Sequence, residues 1–276
     1  MQAKRVLEMV PPMAAANVAD PALALSDKME QIIKLMDQSV HLQQVALLEA
    51  GHILRFHTGM AQIALSLPDA QEDYMQRVIL RTRQFYEQRL LHAVQALGLI
   101  KPESTVCDIG ANIGNASVFF GKVLGAKRVL AFEPQPHCHA TLVRNLELNA
   151  LTDAQAYNCM VGATSGRGDV ARFNPRNLGA TRFVAAKDGA VPMVALDDLI
   201  EAEELHGLGF LKIDVEGMHL DVLTGAKKVI KTFRPAIWVG LTDSGAELAA
   251  TTKMLGGLGY GGQKIGPNDH IFTPKA

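Results

Sequence analysis

The chain has 276 residues, with 27 lysines and arginines against 28 acidic residues, a formal net charge of −1, and 48% apolar against 20% charged residues. That length accommodates one α/β domain of ordinary size plus an additional segment, and the balance is that of a globular chain with a full hydrophobic core. No charge block marks a broad nucleic-acid surface, and no apolar run reaches the roughly 18 residues that a membrane span requires.

Residues 1–25 are rich in alanine and proline without clear periodicity, which reads as a loose N-terminal segment. Lys4 and Arg5 ahead of Ala14-Ala15-Ala16 resemble a weak secretion signal, but Glu8 and Pro11-Pro12 interrupt its apolar core. From Ser26 to about Leu67, Ile32, Leu35, Met36, Leu42, Val45, Leu48 and Leu54 recur with a period near 3.6, the mark of a helix. A second helix is expected from Pro68-Asp69 to about Leu97, with Met75, Val78, Ile79, Phe85, Leu90 and Val94 on one stripe. Residues 26–98 are therefore expected to be a helical accessory region, suited to homo-oligomer formation.

After Lys101-Pro102 short β-branched runs alternate with helical stretches, the pattern of a parallel α/β sheet over residues 99–276. Strands are expected at 104–109, 128–133, 154–160, 209–214, 235–241, 258–265 and 269–273. Helices are expected near 114–124, 136–149, 196–204, 219–232 and 244–256. Residues 166–195, punctuated by Gly166, Gly168, Pro175, Gly179 and Gly189, read instead as a hairpin excursion over one end of the sheet.

Thr105 to Asn115 carries the most information. A strand runs into Asp108-Ile109-Gly110-Ala111-Asn112-Ile113-Gly114-Asn115 and a helix follows. Gly110 permits a sharp turn close to a ligand and Gly114 permits close packing at the helix start. Ligands of parallel α/β sheets sit at the carboxyl ends of strands. A dinucleotide fingerprint places glycine two residues after the first, where this chain has Asn112. Asp108 would repel a pyrophosphate, whereas a sulfonium and an α-amino group suit it. Glu133, 23 residues after Gly110 and followed by Pro134, closes the next strand and can accept both ribose hydroxyls of an adenosine. That feature alone also fits a nicotinamide-dependent oxidoreductase, or a scaffold that has kept the fold without catalysis.

Phe210-Leu211-Lys212-Ile213-Asp214-Val215-Glu216-Gly217 puts three charged side chains on one face of a strand that should be apolar on both. Placing them at the carboxyl end lets Lys212 neutralise one carboxylate, while Asp214 or Glu216 acts as a general base. His219, just beyond, is a further candidate base.

Asp108-Ile-Gly-Ala-Asn-Ile-Gly, Ala131-Phe-Glu-Pro, Asn145-x-x-x-Asn149, Leu196-Asp-Asp, Leu211-Lys-Ile-Asp-Val-Glu-Gly, Gly225-Ala and Arg234-Pro, in that order, resemble the FkbM-type methyltransferases over roughly residues 85–273. The resemblance implies a class I methyltransferase fold, Rossmann-like, with a mixed seven-stranded sheet of order 3-2-1-4-5-7-6, to which the N-terminal helical extension, outside the resemblance, is added. It implies S-adenosyl-L-methionine as cofactor and O-methylation of a saccharide or secondary-metabolite hydroxyl. Carried over by position, the cofactor set is Glu87, Asp108, Gly110, Asn112, Gly114, Asn115, Glu133, Pro134 and Asn158, with Asp214, Glu216, Lys212 and His219 as catalytic candidates. Tyr86-Glu87 resembles a pair that precedes the first strand. The chain departs from the family at Gly240, where a glutamate usually closes the fifth strand.

No metal is expected. His137 and His139 flank Cys138 without ligand spacing, although Asp197, Asp198, Asp214 and Glu216 offer oxygen ligands that a magnesium ion would accept. Cys107, Cys138 and Cys159 are expected to be buried reduced thiols of a cytoplasmic protein. Trp238 is expected in the core, and Asn177 to Thr181 on the substrate side.

Overall fold

In the computed structural model of the chain, residues 21–49, 51–199, 205–241 and 245–275 are described. They fall into two compact units, 1–45 and 46–276. Helix α1 (Pro21–Glu49) carries proline in its first turn, where the missing N–H has no partner to lose. Along it Met29, Ile32, Ile33, Leu35, Met36 and Leu42 are exposed. Residues 1–20 lie outside the described residues, and with them most of the segment expected to be loose.

Within the second unit, β1 (Ile53–Thr58) and β2 (Ala61–Ser66) pair antiparallel across Gly59-Met60. This corrects the expectation of helix through Leu67. Gly51 and His52 both take left-handed φ and turn the chain. Leu54 and Phe56 then point inward while Arg55 and His57 point out, a period of two that the longer helical count concealed. The second expected helix is also two, α2 (Tyr74–Thr82) and α3 (Gln88–Leu97). Arg83 and Glu87 break it at φ 52° and 53°. The break drives Phe85 into the core, edge-on to both Phe56 and Phe119 at 5.3 Å.

The remainder alternates as expected. In chain order come β3 (Thr105–Ile109), α4 (Asn115–Val118, continued by a π turn to Val123), β4 (Arg128–Phe132), α5 (Pro136–Leu148) and β5 (Ala154–Tyr157). Next are β6 (Met160–Val161), which with β5 divides the strand expected at 154–160, and β7 (Gly166–Arg172), β8 (Arg182–Ala185) and β9 (Val191–Val194) of the expected excursion, the four forming a separate sheet. Then follow β10 (Leu208–Ile213), α6 (His219–Thr224), α7 (Lys227–Phe233), β11 (Ala236–Gly240), α8 (Ala246–Gly257), β12 (Tyr260–Lys264) and β13 (Asp269–Pro274). The helix expected at 219–232 is interrupted at Gly225, whose backbone packs so close to Gly162 that a Cβ would meet its carbonyl oxygen at 2.1 Å. The helix expected at 196–204 is a short 3₁₀ turn, Leu196–Leu199, and residues 200–204 lie outside the described residues.

The main sheet runs β12-β13-β11-β10-β3-β4-β5. Counted from its first strand, that is 3-2-1-4-5-7-6, with β13 antiparallel to both its neighbours. Five parallel central strands require cover on both faces. Cys107, Ile109, Leu130, Leu211 and Ile213 face the side of α6 and α7. Val106, Val129, Phe210 and Trp238 face the other, where the β1–β2 hairpin, α2 and α3 contribute Phe56, Ile63, Leu65, Ile79, Phe85 and Leu91 to the same core.

Two side-chain amides dock that hairpin. From α5, Asn149 accepts the Ala64 N–H at 3.1 Å and donates to the Ala64 carbonyl at 2.7 Å. Asn145, one turn earlier, accepts the Ser66 N–H at 2.6 Å and donates to the Ile113 carbonyl at 2.8 Å in the glycine loop. The i, i+4 spacing places both amides on one helix face, where they satisfy the open edge of β2 as a neighbouring strand would. Replacing Asn149 by alanine orphans two buried backbone groups and should cost about 1–3 kcal/mol. Urea unfolding and amide exchange at Ala64 check this, with Arg144→Ala, a surface change, expected to leave both unaltered.

Candidate active site

The carboxyl ends of β3, β4 and β10 meet at one cleft. Gly110 turns the chain at φ 78°, and a Cβ there would lie 2.0 Å from the Asp214 carbonyl oxygen. Only glycine lets the first loop lie against the loop after β10. Gly114, at φ 85°, abuts the Leu142 side chain of α5 and does not line the cleft.

Every amide of this loop has a partner inside the protein. Gly110 and Ala111 donate to the Phe132 carbonyl, Asn112 to Glu133 Oε2, Ile113 to Asn112 Oδ1 and Gly114 to the Ala111 carbonyl, all at 2.7–3.0 Å. A pyrophosphate cradle needs such amides free and pointing at the ligand. The loop instead holds a carboxylate. Glu133 is 3% exposed, its second oxygen accepts from the Gln135 N–H at 2.8 Å, and burial raises its pKa from 4.5 to about 7.

Beside Glu133 lies a cleft of about 50 Å³, walled by Pro134, Met160, Val161, Phe183 and Met218 and bounded by Gly110, Asn112, Asp214 and Glu216. The Nδ2 of Asn112 is buried at its edge with no partner, close against Gly179 of the 178–180 turn. The expected substrate-side loop does border this space: Asn177, Gly179 and Ala180 separate it from a second, more polar compartment. That compartment contains Tyr86, Glu87, Asn115, Lys212, Asp214 and Trp238. Asn115 brackets the Tyr86 backbone, accepting its N–H at 2.9 Å and donating to its carbonyl at 3.1 Å. This fixes Glu87 at the mouth, where it keeps an exposed flank. The protein around its carboxyl, with Asp214 and Asp269 nearby, still lifts its pKa to about 7.

Lys212 is the buried hub. It is 5% exposed, with Nζ 3.3 Å from Asp108 Oδ1 and 3.0 Å from Asp214 Oδ2, and it stands 5.6 Å from the centre of the Trp238 ring. Burial works against its charge, but the two carboxylates outweigh it and hold its pKa above the ordinary lysine value. Asp108 is fully buried beneath the loop, accepting from Ser117 Oγ at 2.6 Å. It lies beneath the cleft and is not among the residues that line it.

Two further candidates do not line the cleft. Asn158 donates to the Glu133 and Pro134 carbonyls and so clips the turn below the cleft. His219 is 2% exposed and turned away from the cleft, its Nε2 unpartnered and its pKa lowered by burial. β10 ends at Ile213, so Asp214 and Glu216 reach the cleft from a turn, and only Lys212 is a strand residue. Glu216 is half-buried, its pKa raised by burial and by Asp214, with Arg182 3.9 Å away. The acidic residues considered for magnesium do not assemble. Asp197 caps α7 through the Lys228 and Val229 N–H groups and Asp198 accepts from Ser165. Among the described residues no group of three or more histidine, cysteine or acidic side chains has the geometry for a metal ion. The three cysteines are free and buried. Among the described residues no helix is long and apolar enough to cross a membrane.

Sequence reasoning missed Asp269 and the role of Trp238. The Trp238 side chain is buried, but its ring borders the polar compartment and its Nε1 donates to Asp269 Oδ1 at 2.9 Å. The register of β11 against β13, which the expected strand order does not fix, makes that contact.

Residues 108–258 match the family model of the methyltransferase FkbM domain. A protein named Methyltransferase 1 from Beauveria bassiana is 27% identical over 181 residues, covering 57% of this chain and 72% of its own. The hexuronic acid methyltransferase AglP of Haloferax volcanii is 28% identical over 134 residues, 47% of this chain and 53% of its own. The crystal structure of a methyltransferase FkbM from Methylobacillus flagellatus superimposes with a TM-score of 0.51 at 21% identity, a likeness of fold covering 74% of this chain and 56% of that one. The chain thus spans about half the length of these last two proteins. With a model matching more than half of its residues, and with the glycine loop, the buried strand-end carboxylate and the charged turn after β10 all lying within the match, the chain belongs to the FkbM methyltransferase family.

Proposed function

We propose that the protein transfers a methyl group from S-adenosyl-L-methionine to a hydroxyl of a saccharide or secondary metabolite. The observation that carries this is Glu133, buried at the end of β4 with each oxygen held by one backbone N–H and the cleft in front of it open. Each carboxylate oxygen retains a lone pair for a ribose hydroxyl. The unpartnered Asn112 Nδ2 offers a donor at the same place, and the Met160, Phe183 and Met218 wall suits an adenine ring. When bound, the cofactor supplies a methyl group made electrophilic by its sulfonium.

The chain's own groups then have separate tasks. Glu87 meets the amino group of the cofactor's amino-acid end. Tyr86, its pKa raised to about 12 chiefly by burial, keeps its proton and remains a donor there. Asp214 or Glu216 receives the acceptor hydroxyl's proton, and burial, with Asp214 beside it, raises the pKa of Glu216 toward that role. Lys212 orients Asp214 from below. Alignment of the two reacting groups supplies much of the remainder. The full set of loop amides engaged within the protein supports this reading over a nicotinamide dinucleotide. The hexuronic acid named for one relative supports a saccharide acceptor. We further propose a cytoplasmic location, on the buried free thiols, and self-association through the exposed apolar residues of α1, with residues 26–98 as an accessory region.

Calorimetric titration with S-adenosylhomocysteine tests the reading. Glu133→Gln should weaken binding about 100-fold, since charge-assisted hydrogen bonds to two hydroxyls become neutral ones. Affinity should rise about tenfold between pH 6 and pH 8, because binding requires Glu133 ionised and its free pKa is about 7. Unequal heats in buffers of different ionisation enthalpy report the released proton. The sign for stability is the reverse: the folded state holds this proton more tightly than the unfolded one, so the ligand-free fold loses stability as pH rises through 7. Glu216→Ala should leave binding within about threefold and lower methyl transfer to a glycan panel about 100-fold, in keeping with loss of a general base. No binding of S-adenosylhomocysteine to the parent chain would sink the assignment.

A further inference from the structure

Past Asp214 and Glu216 the cleft opens into a third compartment of about 140 Å³, walled chiefly by Glu87, Asp214, Glu216, Gly240, Asn268 and Asp269. It continues the proposed methyl-donor site on the side away from Glu133. Its shape depends on one backbone pairing. β11 and β13 run antiparallel with Gly240 opposite Asp269. A Cβ on Gly240 would stand 3.0 Å from Asp214 Oδ1 and 3.8 Å from Asp269 Oδ1. Glycine at this position therefore leaves the gap between two carboxylates open. Asp269 is held toward that gap from one side by the Trp238 Nε1–H at 2.9 Å.

We propose that Asp269 is a specificity-determining residue: with Gly240 it shapes the acceptor end of the cleft to take hydroxyl-rich or amine-bearing acceptors and to turn away those presenting a carboxylate or phosphate there. This rests on the methyl-donor reading above. The chemistry follows from the donor inventory. Ionised carboxylates accept hydrogen bonds and donate none, so a ligand between Asp214 and Asp269 must bring the protons. An anion there meets several like charges at close range. The described cations near the compartment are already engaged or peripheral. Lys212 sits between Asp108 and Asp214, Arg182 stands by Glu216, and His270 neighbours Asp269 on its own strand. Burial is the main cause of the raised pKa of Glu87, Glu216 and Asp269, and Asp214 adds a smaller repulsion that an entering cation would relieve.

The charge preference can be read without knowing the acceptor. A single thiol is introduced at the rim by Asn268→Cys, or at the floor by Gly240→Cys should the first not fold. It is then reacted with two methanethiosulfonates of similar size, one bearing trimethylammonium and one sulfonate. The parent chain, with its buried cysteines, gives the background. The ratio of cationic to anionic rate constants should exceed that of free cysteine about tenfold, and adding Asp269→Asn should cut it about threefold. A ratio equal to that of free cysteine, or one indifferent to Asp269→Asn, overturns the proposal. So does faster methyl transfer to a uronate than to its neutral parent sugar. Titration of the same proteins with S-adenosylhomocysteine keeps the two ideas apart: its failure to bind removes the methyl-donor reading, whereas the rate ratio alone judges Asp269.

Discussion

A buried ammonium ion joins the two halves of the site. Lys212 lies on the central strand β10, beside Asp108 on β3 and below Asp214 on the following turn. An unpaired charge at this depth would be very costly, and two carboxylates without the lysine would repel each other. Each member therefore holds the other two, and the loops that carry them are held as well. The Asp214 N–H continues the sheet by donating to the Ile109 carbonyl, and its carbonyl fills the space where Gly110 has no side chain. The first loop and the turn after β10 are thus packed as one surface, and the cleft is cut into it.

From that surface the cleft changes character along its length. Toward β4 it is apolar, with one buried carboxylate whose raised pKa reflects its enclosure. Toward β11 and β13 it becomes acidic, because Glu87, Asp214, Glu216 and Asp269 face a common space. A donor with an aromatic end and a cationic end matches this gradient. The residue in front of each end comes from a different part of the chain, so the gradient belongs to the assembled sheet rather than to any one motif.

The N-terminal hairpin explains a motif that had no mechanism when read alone. Asn145 and Asn149 were legible as a spaced pair, yet nothing in the sequence says what they bind. In the structure they act as a substitute strand for β2, and Asn145 also ties the hairpin to the glycine loop through Ile113. The accessory segment and the ligand loop therefore share one helix as a common support. The hairpin itself escaped detection because one of its inward residues, Leu54, was counted with the helical stripe that precedes it.

Local chemistry alone determined much of this protein. Glycine spacing, the strand-end Glu133, the charged run at Lys212 to Glu216 and the alternation of apolar runs depend on neighbours within a few residues, and all were legible. Only the tertiary structure decided which charges are buried and which face the cleft. Asp108 and Glu133 both close apolar strands, but the first lies under Lys212 and the second borders open space. Asp269 and Trp238 enter the site through the register of the β11–β13 pairing, which strand order alone does not set, and His219 is buried away from it. Burial and cross-strand register are properties of the packed sheet, and a linear pattern carries neither.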